Sequence, residues 1–297
     1  MRAQRKTLST AVAIEGIGLH SGIYTKVELR PADAGTGLTF VRTDLQNLRI
    51  PALQASTTAL DYATSVGRDD VSIGTVEHLL SAVHAAGLTD VEIAIDGPEI
   101  PIIDGSALPF IHLIEAAGVR ELGQTVGVLR IRRTIEVIEG AKRIRIEPAE
   151  RLSIDYRIDF PHPKIGRQAI AVELDYRTFA SEIAPARTYG FMRDVERLRA
   201  AGLARGGSVE NCIILDDDEV LNGPLRFGDE FVRHKVLDLL GDLALLGHPL
   251  AGAITAERGG HALHARLVAA ILEASESWLI DDPAPVHAAP TASESWA

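Results

Sequence analysis

The sequence DEFVRHKVLDLLGDLALLGHPL, from Asp229 to Leu250, contains two superimposed patterns. Apolar residues recur at the three-and-four spacing of an amphipathic helix: Val232, Val236, Leu239, Leu240, Leu243 and Leu246. His234, Asp238 and Asp242 follow one another at intervals of four, so on a helix they form one row about a turn apart. Such a row suits either metal ligands or an ordinary ion pair on a solvated face. A second cluster is needed to decide between the two.

That second cluster is GTVEHLLSAVHAAG, from Gly74 to Gly87. The pattern predicts a helix with Thr75 as the N-cap and Gly87 at the left-handed C-terminal position. Glu77 and His78 then fall in the first turn. A carboxylate there is favoured by the helix dipole alone, but an adjacent histidine also allows His78 to bind a metal while Glu77 acts as a general base on water.

The two clusters together supply two histidines and one aspartate, which is the protein ligand count of a catalytic zinc site with one position left for water. The hypothesis is therefore a metal centre formed by His78, His234 and Asp238. The two histidines also occur in a weak internal repeat. Each lies in a helix that ends at a glycine, Gly87 or Gly247, before a strand. Duplicated, facing domains could share one metal in the cleft between them.

Composition limits the functional classes. A chain of 297 residues with 46% hydrophobic and 24% charged residues can bury one large core or two. The net charge of −11 disfavours general nucleic-acid binding but leaves room for a local basic pocket. Short apolar runs and a polar start predict no transmembrane segment, no signal peptide and a cytoplasmic location. The single cysteine, Cys212, excludes an internal disulfide and a multi-cysteine metal site.

Strands and helices alternate along the chain in a way that predicts two two-layer α/β units. Domain 1–124 would end near a linker at Gly123 to Gly127, and domain 128–281 would precede a flexible tail, 282–297. Strands are expected within 7–41 and near 90–95, 128–138, 142–146, 152–160, 168–174, 212–215 and 251–255. Helices other than the two described above are expected to end at Gly118 and to run from about Ala265 to Ala274.

Four further polar residues have alternative interpretations. His20, among three glycines, suits a structural position better than a ligand. Lys235 is either a solvated lysine or, in a cleft, an electrophilic donor. His261 is placed by its preceding glycines in a loop before the last helix, where an imidazole can serve as a general acid. Thr188, in a turn-like segment, could donate to an oxyanion.

Several motifs occur in one order: Thr75-Val76-Glu77-His78, Glu99-Ile100-Pro101 before Asp104-Gly105-Ser106, Ala186-Arg187-Thr188, Phe231-Val232-Arg233-His234-Lys235 and Gly260-His261-Ala262-Leu263. In this order the chain resembles the UDP-3-O-acyl-N-acetylglucosamine deacetylases of lipid A synthesis, and the likeness extends from Arg5 to about Leu272. The sequence departs from the usual motifs at Tyr189, where phenylalanine is common, at Arg258, where some members have lysine, and at His264, where asparagine is common.

The resemblance implies an α+β fold of two similar sandwich domains, like the second domain of ribosomal protein S5, with zinc between them. The implied zinc ligands are His78, His234 and Asp238, and iron(II) suits the same set. Glu77 would be the general base and His261 the general acid. The implied supporting residues are Asp242, which orients His261, Lys235 beside the water, and Thr188 at the oxyanion.

Implied substrate contacts complete the prediction. Residues Lys142, Asp159, Phe160 and Arg258 would face the UDP-sugar. Phe191 and Met192, with the insert near 188–215, would form an apolar passage for the acyl chain. The expected protein is a monomeric amidohydrolase acting on an acylated UDP-sugar. The alternatives are a metallohydrolase for another amide or ester, which the ligand set does not exclude, and a non-catalytic binding protein, which would be expected to lack Glu77 or a ligand.

Overall fold

The computed structural model describes residues 3–280. Up to residue 126 the strands are β1 (Ala3–Leu8), β2 (Val12–Ile17), β3 (Tyr24–Pro31), β4 (Leu38–Arg42), β5 (Leu48–Pro51), β6 (Thr57–Ala59), β7 (Ser65–Arg68), β8 (Val71–Ile73), β9 (Val91–Ile95) and β10 (Val119–Val126). The later strands are β11 (Leu129–Ile131), β12 (Ile135–Glu139), β13 (Lys142–Glu147), β14 (Leu152–Asp159), β15 (Arg167–Glu173), β16 (Tyr189–Phe191), β17 (Ile213–Leu215), β18 (Leu250–Glu257) and β19 (Trp278–Ile280).

The helices are α1 (Glu77–Ala85), α2 (Leu108–Ala117), α3 (Tyr176–Thr178), α4 (Met192–Ala200), α5 (Glu230–Leu243) and α6 (His261–Glu273). Short helical turns cover Gln54–Ser56, Phe179–Ile183, Ala244–Leu246 and Ser275–Ser277. The chain thus mixes sheets and helices as expected for an α+β fold. Within residues 3–280, no helix combines the length and the apolar character that crossing a membrane requires.

Two sheets have the same internal plan. In the first, the strand order is β2-β3-β9-β4-β5, and in the second the order β12-β13-β18-β14-β15 repeats it. The central strand β9 has β4 as its parallel and β3 as its antiparallel neighbour. In the same way β18 has β14 as a parallel and β13 as an antiparallel neighbour, and its first residues also pair in parallel with β11. β11 and β19 extend the second sheet. The internal repeat that the sequence predicts is therefore present in the strand pairing.

Helices α1 and α5 precede the two equivalent central strands and pack against each other. Gly241 makes this close approach possible, because a Cβ at that position would overlap the carbonyl oxygen of Glu77. The apolar residues predicted for α5 are buried, and so are the polar residues His234, Asp238 and Asp242. Their row consequently faces protein rather than solvent, which excludes the solvated ion pair as its explanation.

The strand predicted near 152–160 is β14, and the sequence of this segment, LSIDYRIDF, alternates apolar and polar residues. Along β14 the residues Leu152, Ile154, Tyr156 and Ile158 are buried, while their neighbours are partly or largely exposed. Tyr156 is fully buried and lies opposite Ile170 of β15 and Ala256 of β18. The strand therefore fixes this large side chain at the centre of the second sheet.

Three local predictions were wrong. Thr75 is not an N-cap: its φ is 56°, Val76 is the capping residue, and the Thr75 hydroxyl instead donates to buried Glu99 at 2.7 Å. The predicted linker at Gly123 to Gly127 largely belongs to β10, which pairs with β1, and the left-handed φ of Gly123 accompanies a register irregularity in that ladder.

The third error concerns His261, which lies in the first turn of α6 rather than in a loop. Gly260, with extended backbone, is the N-cap residue, and its carbonyl accepts the amide hydrogens of Leu263 and His264. After Gly259 and Gly260 the helix thus begins at His261, four residues before the predicted start at about Ala265. The proposed tail, 282–297, lies outside the described residues, as does the end of the second predicted domain at 281.

Candidate metal centre

The N-terminal turns of α1 and α6 meet the middle of α5 beside a cavity of about 350 Å³. The apolar residues of these helices pack in the hydrophobic core, and their polar side chains line the cavity. The walls include these residues from the sequence prediction: Glu77, His78, Lys142, Phe160, Thr188, His234, Lys235, Asp238 and His261. Residues as far apart along the chain as Glu77 and His261 therefore surround one space.

His78, His234 and Asp238 form a compact buried cluster whose potential ligand atoms all lie within 4.8 Å of one another. His234 Nε2 is 3.2 Å from Asp238 Oδ1, and His78 Nε2 is 3.9 Å from the same oxygen. The row on α5 supplies two of these groups and the first turn of α1 supplies the third. His234 and Asp238 are thus i,i+4 neighbours on α5, and the packing of α1 against α5 brings His78 next to them.

The state of these groups suits a cation. His234 Nδ1 lies 3.1 Å from the Ala186 carbonyl, to which it donates, so Nε2 keeps its lone pair toward the cluster. Asp238 Oδ1 is buried without a hydrogen-bond donor among the described residues. A buried carboxylate oxygen beside two imidazole lone pairs is costly unless a cation satisfies it. The donor set therefore fits a divalent metal bound by one oxygen and two nitrogens.

The protonation of the cluster points the same way. Burial, together with the neighbouring His234, lowers the pKa of His78 to about 3. Burial also lowers the pKa of His234. Although burial disfavours its charge, the neighbouring His234 and the Lys235 ammonium hold the pKa of Asp238 well below its usual value. Two neutral imidazoles and one carboxylate are the forms that bind a metal.

Lys235 lies beside the cluster and is not the solvated lysine of the alternative interpretation. Its ammonium donates to Asp238 Oδ2 at 2.8 Å and lies 5.5 Å from the centroid of the Tyr189 ring. Burial opposes the charge, but the Asp238 carboxylate raises the pKa of Lys235 above its ordinary value. The lysine is therefore a fixed cation at the cavity wall.

Glu77, which precedes the predicted ligand His78, lines the same cavity. The Thr64 amide donates to Glu77 Oε2 at 3.0 Å, and the other oxygen, Oε1, is 3.8 Å from His261 Nε2. Burial raises the pKa of Glu77 to about 8, against the opposing influence of the His261 charge. A raised pKa makes the ionised form of such a carboxylate a stronger acceptor for a proton from water.

His261 is held from behind by Asp242. The Nδ1–H of His261 donates to Asp242 Oδ2 at 2.9 Å, which directs Nε2 toward the cavity. Burial opposes the charged imidazole, yet Asp242 and Asp238 raise the pKa of His261 to about 9. The donors from His261 and His264 in turn keep the pKa of buried Asp242 below its usual value, despite the cost of burial. The imidazolium form is thus available as a proton donor.

The predicted substrate residues divide into three groups. Lys142 and Phe160 line the metal-side cavity, as does Thr188, the residue predicted at the oxyanion. Phe191 and Met192 line an adjoining cavity of about 520 Å³, whose walls also include Val195, Leu198, Cys212 and Ile214. Asp159 and Arg258 line neither cavity; they form a partly exposed ion pair with each other at 2.6 Å. The structure therefore does not bring that pair to the cavity walls.

Sequence reasoning overlooked Thr64, which lies just before β7. Besides its amide contact with Glu77, its hydroxyl donates to Asp242 Oδ1 and lies 3.1 Å from His261 Nδ1. No local pattern indicates this role, because the partners are 178 and 197 residues away along the chain. His20, interpreted from its glycines as structural, lines both cavities but lies outside the ligand cluster.

Comparisons with known proteins agree with the motifs. A family model described as UDP-3-O-acyl N-acetylglycosamine deacetylase matches residues 5–273. The UDP-3-O-acyl-N-acetylglucosamine deacetylase of Myxococcus xanthus is 47% identical over 270 residues, covering 90% of this chain and 86% of that protein. Its counterpart in Helicobacter pylori is 42% identical over 285 residues, covering 95% of this chain and 96% of that protein. The chain therefore belongs to the UDP-3-O-acyl N-acetylglycosamine deacetylase family.

Proposed function

We propose that this protein hydrolyses the acetamide of UDP-3-O-(3-hydroxyacyl)-N-acetylglucosamine, releasing acetate and the free amine, as the committed step of lipid A biosynthesis. The relatives named above carry this activity in their names. The observation that carries the proposal is the placement of Glu77 and His261, 3.8 Å apart, on one cavity beside the His78, His234 and Asp238 cluster. This arrangement provides a base, an acid and a metal site together.

The metal proposed is zinc, one per chain, and iron(II) also suits the ligands. When bound by His78, His234 and Asp238, it would act as a Lewis acid toward the acetamide carbonyl and toward water. A cation at this position would also stabilise the ionised form of the neighbouring Glu77 carboxylate.

Glu77 and His261 then carry out the two proton transfers of the reaction. Glu77 accepts a proton from the attacking water as the new C–O bond forms. Charge developing on the carbonyl oxygen faces the cavity wall that contains Thr188 and the Lys235 ammonium. As the C–N bond breaks, His261 donates its Nε2 proton to the leaving nitrogen. The poor leaving ability of an amine makes this second transfer necessary, and Asp242 stabilises the imidazolium that performs it.

Substrate contacts are proposed on two sides of this centre. Lys142 and Phe160 would meet the sugar nucleotide, and Asp159 with Arg258 would bind it at the outer rim, where their ion pair is partly exposed. The adjoining 520 Å³ cavity would hold the acyl chain against Phe191 and Met192. Its apolar lining from α4 and β17 matches a hydrocarbon in character.

We also propose that the two equivalent sheets define two S5-like domains, 1–124 and 128–281, with the insert near 188–215 forming the acyl passage. The common strand order and the position of the cluster between α1 and α5 support this division. A monomeric state and a cytoplasmic location stay predictions.

The substrate assignment is tested by incubating the purified protein with UDP-3-O-(3-hydroxyacyl)-N-acetylglucosamine and with UDP-N-acetylglucosamine. We expect acetate and free amine, measured by mass spectrometry, from the acylated compound and far slower release from the other. Equal turnover of the two compounds would contradict the role given to the apolar cavity. No turnover of either by metal-loaded protein would assign the centre to another amide or ester.

A further inference from the structure

A buried chain of hydrogen bonds continues behind His261. Asp242 Oδ2 lies 2.9 Å from His261 Nδ1 and 2.8 Å from His264 Nδ1, while its Oδ1 accepts the Thr64 hydroxyl hydrogen. An ionised carboxylate can only accept hydrogen bonds, so both imidazoles must present Nδ1–H to it. Asp242 is 1% exposed, and water does not compete for these positions.

The far side of His264 meets Tyr156, whose hydroxyl is 2.8 Å from His264 Nε2. Both residues are fully buried. Since Nδ1 carries the hydrogen given to Asp242, a neutral His264 can only accept at Nε2, and Tyr156 must donate. Burial lowers the pKa of His264 and raises the pKa of Tyr156, so the neutral ring and the protonated phenol are the favoured forms.

The local backbone leaves room for this contact. A Cβ at Gly259 would overlap the Tyr156 hydroxyl and would lie 3.1 Å from His264 Nε2. Tyr156 itself is fixed by β14, between β15 and β18. A rigid donor on the sheet is thereby connected through α6 to the carboxylate on α5.

We propose that Tyr156 and His264 are positioning residues that fix the plane of the Asp242 carboxylate and, through it, the direction of His261 Nε2. Rotation about the last bond of an aspartate side chain is broad. Thr64 holds one carboxylate oxygen and His264 the other, which leaves one orientation in which Oδ2 also meets His261. This inference rests on the proposed function, because the proton donated by His261 is that of the deacetylation.

The proposal is tested with Tyr156→Phe, His264→Asn and the double variant. Tyr156→Phe removes only the donated hydrogen bond. His264→Asn keeps an N–H near the position of Nδ1 but has no acceptor that reaches Tyr156. Each single variant is expected to lower kcat by about threefold to tenfold with KM nearly unchanged, since one buried hydrogen bond is lost. The double variant should lose no more than either single one, because both changes break the same contact.

The matched control is Tyr176→Phe, which removes a hydroxyl that donates to Glu115 at the same 2.8 Å but is partly exposed on the surface. It should retain the kcat of the unchanged protein. His264→Leu, which also removes the donor to Asp242, should lose about tenfold to a hundredfold. Losses that multiply in the double variant, or equal kcat for Tyr156→Phe and Tyr176→Phe, would overturn the proposal.

A second measurement does not depend on substrate. In protein labelled with ¹⁵N-histidine, His264 should show a protonated Nδ1 and an unprotonated Nε2, and Tyr156→Phe should disturb this pattern while Tyr176→Phe leaves it intact. A His264 protonated at Nε2 would overturn the proposal even in an active enzyme. Conversely, the protein could show the expected protonation of the two His264 nitrogens and yet not hydrolyse the acylated UDP-sugar. That result would support the hydrogen-bond network and reject the proposed function.

Discussion

The Nδ1–H of His261 donates to Asp242 Oδ2 at 2.9 Å, across a separation of nineteen residues and from one helix to the next. This contact fixes which nitrogen of the imidazole faces the cavity. The chemistry proposed for His261 therefore depends on a buried residue that does not line the cavity.

Replacing Asp242 by asparagine should uncouple this pair. The amide can present N–H to His261 Nδ1 and so favour the wrong tautomer, and it no longer stabilises the imidazolium. We expect kcat to fall by about a hundredfold or more, by analogy with the triad aspartate of serine proteases. Steady-state kinetics compare this variant with Asp217→Asn, a change at a carboxylate whose side chain is 83% exposed. Similar kcat values for the two variants would mean that His261 does not need Asp242.

Thr64 can be tested without disturbing its backbone contact. Thr64→Val should lower kcat by about threefold to tenfold, because the hydroxyl donated to Asp242 is lost while the amide still donates to Glu77. Thr64→Ser restores the hydroxyl and should recover most of the activity. If the serine variant is as impaired as the valine variant, the methyl group rather than the hydroxyl is what matters.

The close packing of α1 against α5 should require a glycine at position 241. Gly241→Ala raises helix propensity by about 1 kcal/mol, but its Cβ would overlap the Glu77 carbonyl oxygen. Overpacking of this kind costs about 1–3 kcal/mol, so denaturant unfolding should show a net loss of stability together with reduced activity. Gly228→Ala is the control, since a Cβ there has open space around it. A Gly241→Ala protein at least as stable as the Gly228→Ala protein would contradict this packing.

The buried carboxylate of Asp90 should make the stability of the protein depend on pH. This carboxylate accepts hydrogen bonds from Arg5, the Gly35 and Gly37 amides and Thr89. Burial disfavours the charge, but these donors hold the pKa of Asp90 below its usual value. The stabilisation is therefore complete above the ordinary aspartate pKa of about 4 and is lost as the pH falls through the lower, folded value.

Asp90→Asn should accordingly be less stable than the unchanged protein at pH 7, and the difference should shrink below about pH 4. Urea unfolding across this range measures the change in the free energy of unfolding. The control is Asp69→Asn, at a side chain that is 83% exposed. A constant difference between pH 7 and pH 3 would show that the charge of Asp90 does not stabilise the fold.

The grouping of His234 with Asp238 was predictable because the two residues have the i,i+4 spacing of a helix. His234 and Asp238 are one turn apart on α5, and the repeated strand order places α1 beside it. Thr75 and the Gly123 region were wrong for a common reason: a long-range partner, the Glu99 carboxylate or strand β1, replaced the local interaction that the pattern suggests.

Contacts between distant segments were not predictable in this way. The hydrogen bonds of Thr64 with Asp242 and of Tyr156 with His264 join different helices, strands and loops, and no periodic pattern along the chain connects the two partners of either bond. His264 is unusual for its motif, but only the structure places a phenol within reach of its second nitrogen.

The central claim is that His78, His234 and Asp238 bind one catalytic metal ion. Deacetylation of the acylated UDP-sugar should be measured after chelation and then during titration with zinc, with bound metal counted in parallel. Activity should disappear on chelation and return near one equivalent of zinc. His234→Ala should fold but lose both metal and activity, and Glu77→Ala should bind the metal without turnover. Full activity in chelated protein or in His234→Ala would contradict the account.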